Sequence, residues 1–201
     1  MTESLIKPNS YINFKNNKVT FITFNYDRSL EYFFYESLRN SFSTENDDDI
    51  IEQIPIFHVY GKVLNLPWEN NSSNVKQYLD SYHSPYHKTF DLESLQKLKS
   101  NIRIIYESKQ HDFSGVKDKI LNAKKIFFLG FGFAPENLEI LDLNKIFRYD
   151  QKIYGTAFGL RKKEIEDIRM SISTNFNKEH TQLNNIKIEN ENCLTLLRDY
   201  L

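Results

Sequence analysis

Asn25 and Asp27 sit two residues apart in the segment Lys18–Glu31 (KVTFITFNYDRSLE), where an apolar run gives way to a helical pattern. A carboxamide can orient a polar ligand, and a carboxylate can offset positive charge. Further on, IPIFHVYG supplies an imidazole and a phenol, His58 and Tyr60. If that stretch is a strand, the two side chains project to one face and could share a cleft with Asn25 and Asp27. A third cluster is glycine rather than acid or base: KIFFLGFGF places Gly130 and Gly132 at a strand-to-helix turn. Such a turn lets a ligand approach the backbone, and the amino end of the following helix favours an anion or ribose hydroxyls. Each cluster also has a plain structural use. Asp27 can cap a helix and Asn25 form a turn, His58 can be hydrogen-bonded in the core, and Gly-x-Gly can be a tight packing turn.

The elements that must position these residues follow from periodicity. Val19, Phe21, Ile22 and Phe24 are apolar on both parities, as expected of a strand covered on both faces. From Arg28 to Phe42 the spacing of Leu30, Phe33, Phe34 and Leu38 predicts a helix, with Asp27 placed to cap its first turn. Ile54 to Tyr60 predicts a second strand, ended by Gly61, which permits a turn that a side chain would obstruct. Ile102 to Tyr106 predicts a short strand and Val116 to Ala123 a helix. Lys125 to Phe133 predicts a buried strand, followed by a helix in APENLEILDL with Pro135 near its start. Lys152 to Leu160 repeats the strand format before the helix RKKEIEDIRM, and Ile186 to Ile188 and Cys193 to Leu201 close the chain as strand and helix. Strands that alternate with helices predict an α/β fold: a mainly parallel, Rossmann-like sheet with helices on both faces and ligands at the carboxyl ends of the strands.

Residues 1–17 read as a flexible lead-in and 18–201 as a single α/β domain, with 69–100 as a helical or loop insertion over the cleft. The acidic run Asp47 to Asp49 reads as a solvated loop. His83 and His87 stand four apart, at metal-ligand spacing, but Pro85 between them opposes a regular helix and no further ligand completes a set. Cys193, beside Leu194, Leu196 and Leu197, reads as an inert buried thiol.

A chain of 201 residues that is 40% hydrophobic can bury a sizeable core. Its 26 basic and 27 acidic residues leave a net charge of -1, which gives no general drive toward nucleic acid or an anionic membrane. No apolar run reaches the roughly 18 residues of a membrane span, and the amino terminus lacks the build of a signal peptide, so a cytoplasmic location is expected. One cysteine excludes an internal disulfide and a zinc site of two or more thiolates within this chain.

Taken in order, three pieces resemble the sirtuin-like superfamily, whose members cleave the nicotinamide-ribose bond of NAD. TFNYDRSLE is similar to its Thr-x-Asn-x-Asp segment, HVYG to its His-Gly segment and FLGFGFAPENL to its later Gly-rich turn. Among these the chain most resembles the bacterial sirtuin-like proteins of antiphage defence, over most of Val19 to Leu201. The resemblance implies NAD as substrate or ligand and no zinc. Asn25, His58 and Tyr60 would be the catalytic set, with Asn25 on the ribose or attacking water and His58 or Tyr60 on the ribose hydroxyls. Asp27 would hold the nicotinamide pocket and Gly130 and Gly132 would admit the adenosine side; Thr23, Gly61 and Asn137 belong to the same cofactor-binding motifs. Breaking an N-glycosidic bond builds positive charge on the ribose, which a neighbouring carboxamide and carboxylate can stabilise.

Two departures shape the expectation. No glycine precedes Gly61, so the family's pyrophosphate-binding loop has no counterpart, and the missing strand and loop would come from a partner chain or a second copy, from a truncated reading frame, or from nowhere. Tyr60 stands directly before Gly61, where the family has its histidine, and a phenol is a poor general base at neutral pH. The expected function is therefore a partial or degenerate NAD glycohydrolase. The alternative is a non-catalytic nucleotide-sensing or protein-interaction module.

Overall fold

The computed structural model describes residues 18–42, 54–63, 66, 102, 112–148, 150–173 and 183–201. The lead-in at 1–17, the aspartates at 47–49, Trp68, the insertion at 69–100 with His83 and His87, and the strand expected after Ile102 lie outside the described residues. The chain divides into two compact units, Thr2–Gln110 and His111–Leu201.

In the first unit, β1 (Phe21–Thr23) leads through a short turn into α1 (Ser29–Phe42), and β2 (Ile56–His58) returns alongside β1. The two strands are parallel, with Phe21 opposite Ile56, Ile22 opposite Phe57 and Thr23 opposite His58. The Val59 amide extends the ladder by donating to the Thr23 carbonyl at 2.9 Å. Parallel strands joined through a helix form the βαβ unit that the change of period predicts. After β2 the chain turns at Gly61, whose φ of 79° lies in the left-handed region, and Gly61 forms an antiparallel bridge to Ile102.

α1 does not bury the stripe that its apolar residues suggest. Leu38 is buried, but Phe33 is 67% exposed, and Arg28, just before the helix, and Glu31, in its first turn, are buried. Glu31 and Leu38 are seven apart and share a helix face, so the inward stripe is rotated to take an ion pair inside.

The second unit is a three-stranded parallel sheet in the order β3 (Lys125–Phe128), β4 (Lys152–Thr156), β5 (Ile186–Glu189). Helix α2 (Ser114–Asn122) precedes β3, the short helices α3 (Pro135–Ile140) and α4 (Leu143–Ile146) follow it, α5 (Lys162–Ser173) follows β4, and α6 (Cys193–Tyr200) ends the chain. Strand register lines up Ile126, Ile153 and Ile186, and two residues on, Phe128, Gly155 and Ile188, along one face. On the other face Tyr154 stacks between Phe127 and Tyr200 of α6, with ring centroids 5.0 and 4.5 Å away, and Lys187 lies over the Tyr200 ring. Both units are α/β with parallel strands, in keeping with the Rossmann-like class. The described residues contain no helix long and apolar enough to cross a membrane.

Two internal constraints hold the second sheet. A side chain at Gly155 would meet Ile188 Cδ1 at 2.7 Å and Phe133 Cζ at 2.9 Å, and both neighbours are buried. Gln151, fully buried, closes the end of α2: its Nε2 donates to the carbonyls of Ile120 and Ala123, while its Oε1 accepts from the Arg148 amide. We predict that Gly155→Ala destabilises this unit by about 1–3 kcal/mol through overpacking. Gln151→Leu should cost about as much by stranding the helix-end carbonyls. Urea midpoints of the two variants measure both effects, and wild-type midpoints would refute them.

Candidate functional site

The turn between β1 and α1 is held through bonds to its backbone groups. The Asn25 amide donates to Thr23 Oγ1 at 3.1 Å, the Asn25 carbonyl accepts from His58 Nδ1 at 2.9 Å, and the Tyr26 carbonyl accepts from the Val63 amide at 2.8 Å. Asp27 Oδ1 accepts from the Ser29 amide at 2.9 Å, which secures the start of α1. Thr23, Asp27 and His58 thus spend polar groups on fixing the turn. Asn25 is exposed, and no hydrogen bond engages its carboxamide among the described residues.

Behind the turn lies a buried charge cluster. Arg28 Nε donates to Glu31 Oε1 at 2.8 Å, and His58 Nε2 approaches the same oxygen at 2.6 Å. The side chains of Arg28, Glu31 and His58 are 2%, 6% and 5% exposed, so the whole cluster is shielded from solvent. The second oxygen, Glu31 Oε2, is buried without a hydrogen-bond partner. Both ring nitrogens of His58 therefore face oxygens: a backbone carbonyl that only accepts, and a carboxylate that Arg28 already engages. A neutral ring, with one N–H, satisfies one of these contacts; the imidazolium satisfies both.

Burial opposes the charged form of Glu31, but the hydrogen bond from His58 and the charge of Arg28 outweigh it and hold the carboxyl below its ordinary range. The Asp27 carboxyl is also lowered, chiefly by its hydrogen bonds from the Ser29 side chain and amide. The Tyr60 ring meets Phe24 edge-on, with centroids 5.7 Å apart.

In the second unit the residues after β3 form a left-handed loop, with φ of 61° at Gly130, 71° at Gly132 and 54° at Phe133. Among the described residues, chain neighbours aside, no atom lies within 4 Å of where a side chain would begin at Gly130 or Gly132, so the missing side chains leave open approach to the backbone. Thr156 on β4 fixes the loop, accepting from the Gly130 amide at 2.8 Å through Oγ1. The Phe133 ring anchors it below, packed with Phe128 and Phe131. At the neighbouring strand ends Phe158 is 77% exposed, and Asn190 Oδ1 accepts from the Gly159 amide. The loop thus leaves space beside Gly130 and Gly132, while its first amide is committed to Thr156. Asn137 lies within α3, its amide bonded to the Ala134 carbonyl. α3 has six residues, too short for a strong amino-terminal dipole.

Cys193 is exposed on the first turn of α6 rather than buried. The helix buries Leu196 and turns Cys193 and Leu194 outward, because Asn192, which caps it through the Thr195 amide, sets its starting register. The sequence also gave no prominence to Arg28 and Glu31. Their signal was an i, i+3 opposite-charge pair directly after the Asn-x-Asp turn, with Glu31 seven residues before Leu38.

Comparison with known protein families, characterised proteins and solved structures finds no match to this chain.

The charge cluster carries a signed pH dependence. Glu31 binds fewer protons folded than unfolded, so its contribution to stability is complete above the ordinary carboxylate range and is lost as pH falls through its lowered value. Glu31→Gln should flatten this acid-side loss and cost roughly 3–5 kcal/mol at neutral pH by removing the buried carboxylate that Arg28 pairs with. Urea unfolding between pH 7 and pH 3 checks both, and an unchanged acid slope in the variant would remove Glu31 from the account.

Proposed function

We propose that this chain is a sirtuin-like NAD-binding protein, a partial or degenerate NAD glycohydrolase of bacterial antiphage defence. The observation that carries the proposal is the Asn25 turn. Its backbone is clamped at both the amide and the carbonyl, at the carboxyl end of a parallel strand, while its carboxamide is exposed and unengaged among the described residues. Enzymes gain from a polar group that is oriented before the substrate arrives, because reorganisation is then not part of the barrier. A glycosidic carbon that gains positive charge is the reacting centre such a carboxamide suits, with Asp27 nearby as the carboxylate. In the second unit, taken by itself, the open glycine loop at Gly130 and Gly132 leaves room for a nucleotide beside the backbone.

The alternative, a nucleotide-sensing or protein-interaction module without chemistry, draws on a different observation. His58 has both ring nitrogens committed, so it does not stand as a ready general base, and a phenol such as that of Tyr60 is a poor one at neutral pH.

Calorimetry with NAD and with ADP-ribose, together with chromatographic assay of released nicotinamide, separates the two. The glycohydrolase predicts saturable binding and nicotinamide release that falls about 100-fold in Asn25→Ala. Binding of both ligands without release, unaffected by Asn25→Ala, selects the sensing module. No binding of either ligand by the folded protein refutes both.

A further inference from the structure

We propose that β5 is a docking edge for a second copy of this chain: two β5 strands pair antiparallel about Ile188, and each Lys187 meets the Glu189 of the other copy. The pairing is independent of the NAD chemistry proposed above.

β5 is the last strand in the order β3-β4-β5, so β4 occupies only one of its edges. The Glu189 carbonyl points to that side, accepting from the Ala157 amide at 2.7 Å. Amides and carbonyls alternate between the two edges of a strand, so those of Ile188 point away from β4. No hydrogen bond engages them among the described residues. An open groove of about 520 Å³ runs beside them, lined by Arg169, Asn184 and the four residues of β5.

An open strand edge is a template for another strand. The sequence of β5, Ile-Lys-Ile-Glu, selects which one. Ile186 and Ile188 are buried in the unit's own core and offer no side chain to a partner, whereas Lys187 and Glu189 share the opposite face. The Tyr200 ring steadies the lysine at 4.7 Å. A lone lysine on an edge opposes pairing with most strands. When a second β5 comes alongside, antiparallel about a two-fold axis at Ile188, the two Ile188 residues exchange a pair of backbone hydrogen bonds. Lys187 then lies directly opposite Glu189 in a non-hydrogen-bonded pair, where side chains come closest. The two-fold repeats that charge pair on the other side of the axis. Sliding one strand by two residues would set Lys187 against Lys187 or Glu189 against Glu189, so charge fixes the register.

Sedimentation equilibrium of the full-length chain tests this. Wild type should pass reversibly from monomer to dimer as concentration rises. Glu189→Lys and Lys187→Glu each set like charges opposite one another twice and should weaken the dimer about 10-fold or more. Both substitutions in one chain should restore it, and so should mixing the two single variants, which complement each other. Hydrogen exchange by nuclear magnetic resonance reads the backbone: the Ile188 amide should exchange more slowly as wild type is concentrated, but not in Glu189→Lys. A chain that stays monomeric at its highest soluble concentration overturns the proposal. So does a dimer indifferent to the single substitutions, one that the double variant fails to restore, or species that keep growing beyond a dimer. Should a substitution unfold the chain, the concentration dependence of Ile188 exchange in wild type decides.

Discussion

The first unit depends on a single carboxylate oxygen. Glu31 Oε1 receives Arg28 from one side and His58 from the other, all three side chains being shielded from water. Taking such charges out of solvent is expensive, and the cost is offset only when they are paired closely. The pairing also has a geometric result. Because His58 is at the end of β2 and Glu31 is on α1, the cluster joins strand to helix, and through Nδ1 it reaches the turn that connects β1 to α1. Three strand-end, turn and helix positions are thereby fixed by one buried group. An apolar residue at Glu31 would fill the space but could not specify the hydrogen-bonding state of Asn25.

The second unit solves a related problem by omission. Gly155 carries no side chain at the centre of the sheet, and the space so left is taken by Ile188 and the ring of Phe133. That ring keeps Phe133 in a left-handed backbone conformation, which costs an L residue roughly 1–2 kcal/mol and must be recovered from packing. The reward is a loop whose two glycines remain open while Thr156 pins its first amide. Here a small residue in a strand shapes a loop well removed from it in sequence. Buried apolar packing does in this unit what buried charge does in the other.

Much of the architecture was legible because parallel α/β units write a strong local pattern. Strands at the first apolar run, at IPIFH, at KIFF, at KIYGT and at IKIE all form, and the helices between them follow from the change of period. The strands are shorter than the apolar runs, since a ladder ends where the chain turns to start a helix, as it does at Asn25 and at Gly130. Asp27 as a helix-start acceptor and Gly61 as a turn residue were equally readable, because both roles depend on the residue's immediate neighbours. The burial of α1 was not. Four apolar residues set one stripe in the sequence, but Phe33 faces outward and Glu31 inward.

By itself, then, the sequence determined the alternation of strands and helices among the described residues and the residue types available at the strand ends, but not the break at Asp142 that divides the single helix expected in APENLEILDL into α3 and α4. These depend on backbone preferences and hydrophobic period, which act over a few residues. Only the tertiary structure decided that His58 spends both ring nitrogens on Asn25 and Glu31, 33 and 27 residues away, and that Tyr60 packs instead against Phe24. It also decided that Gly155 makes room for Phe133. Such pairings depend on which strand lies beside which and on the rotation of each helix about its axis, and neither is encoded in any short stretch of the chain.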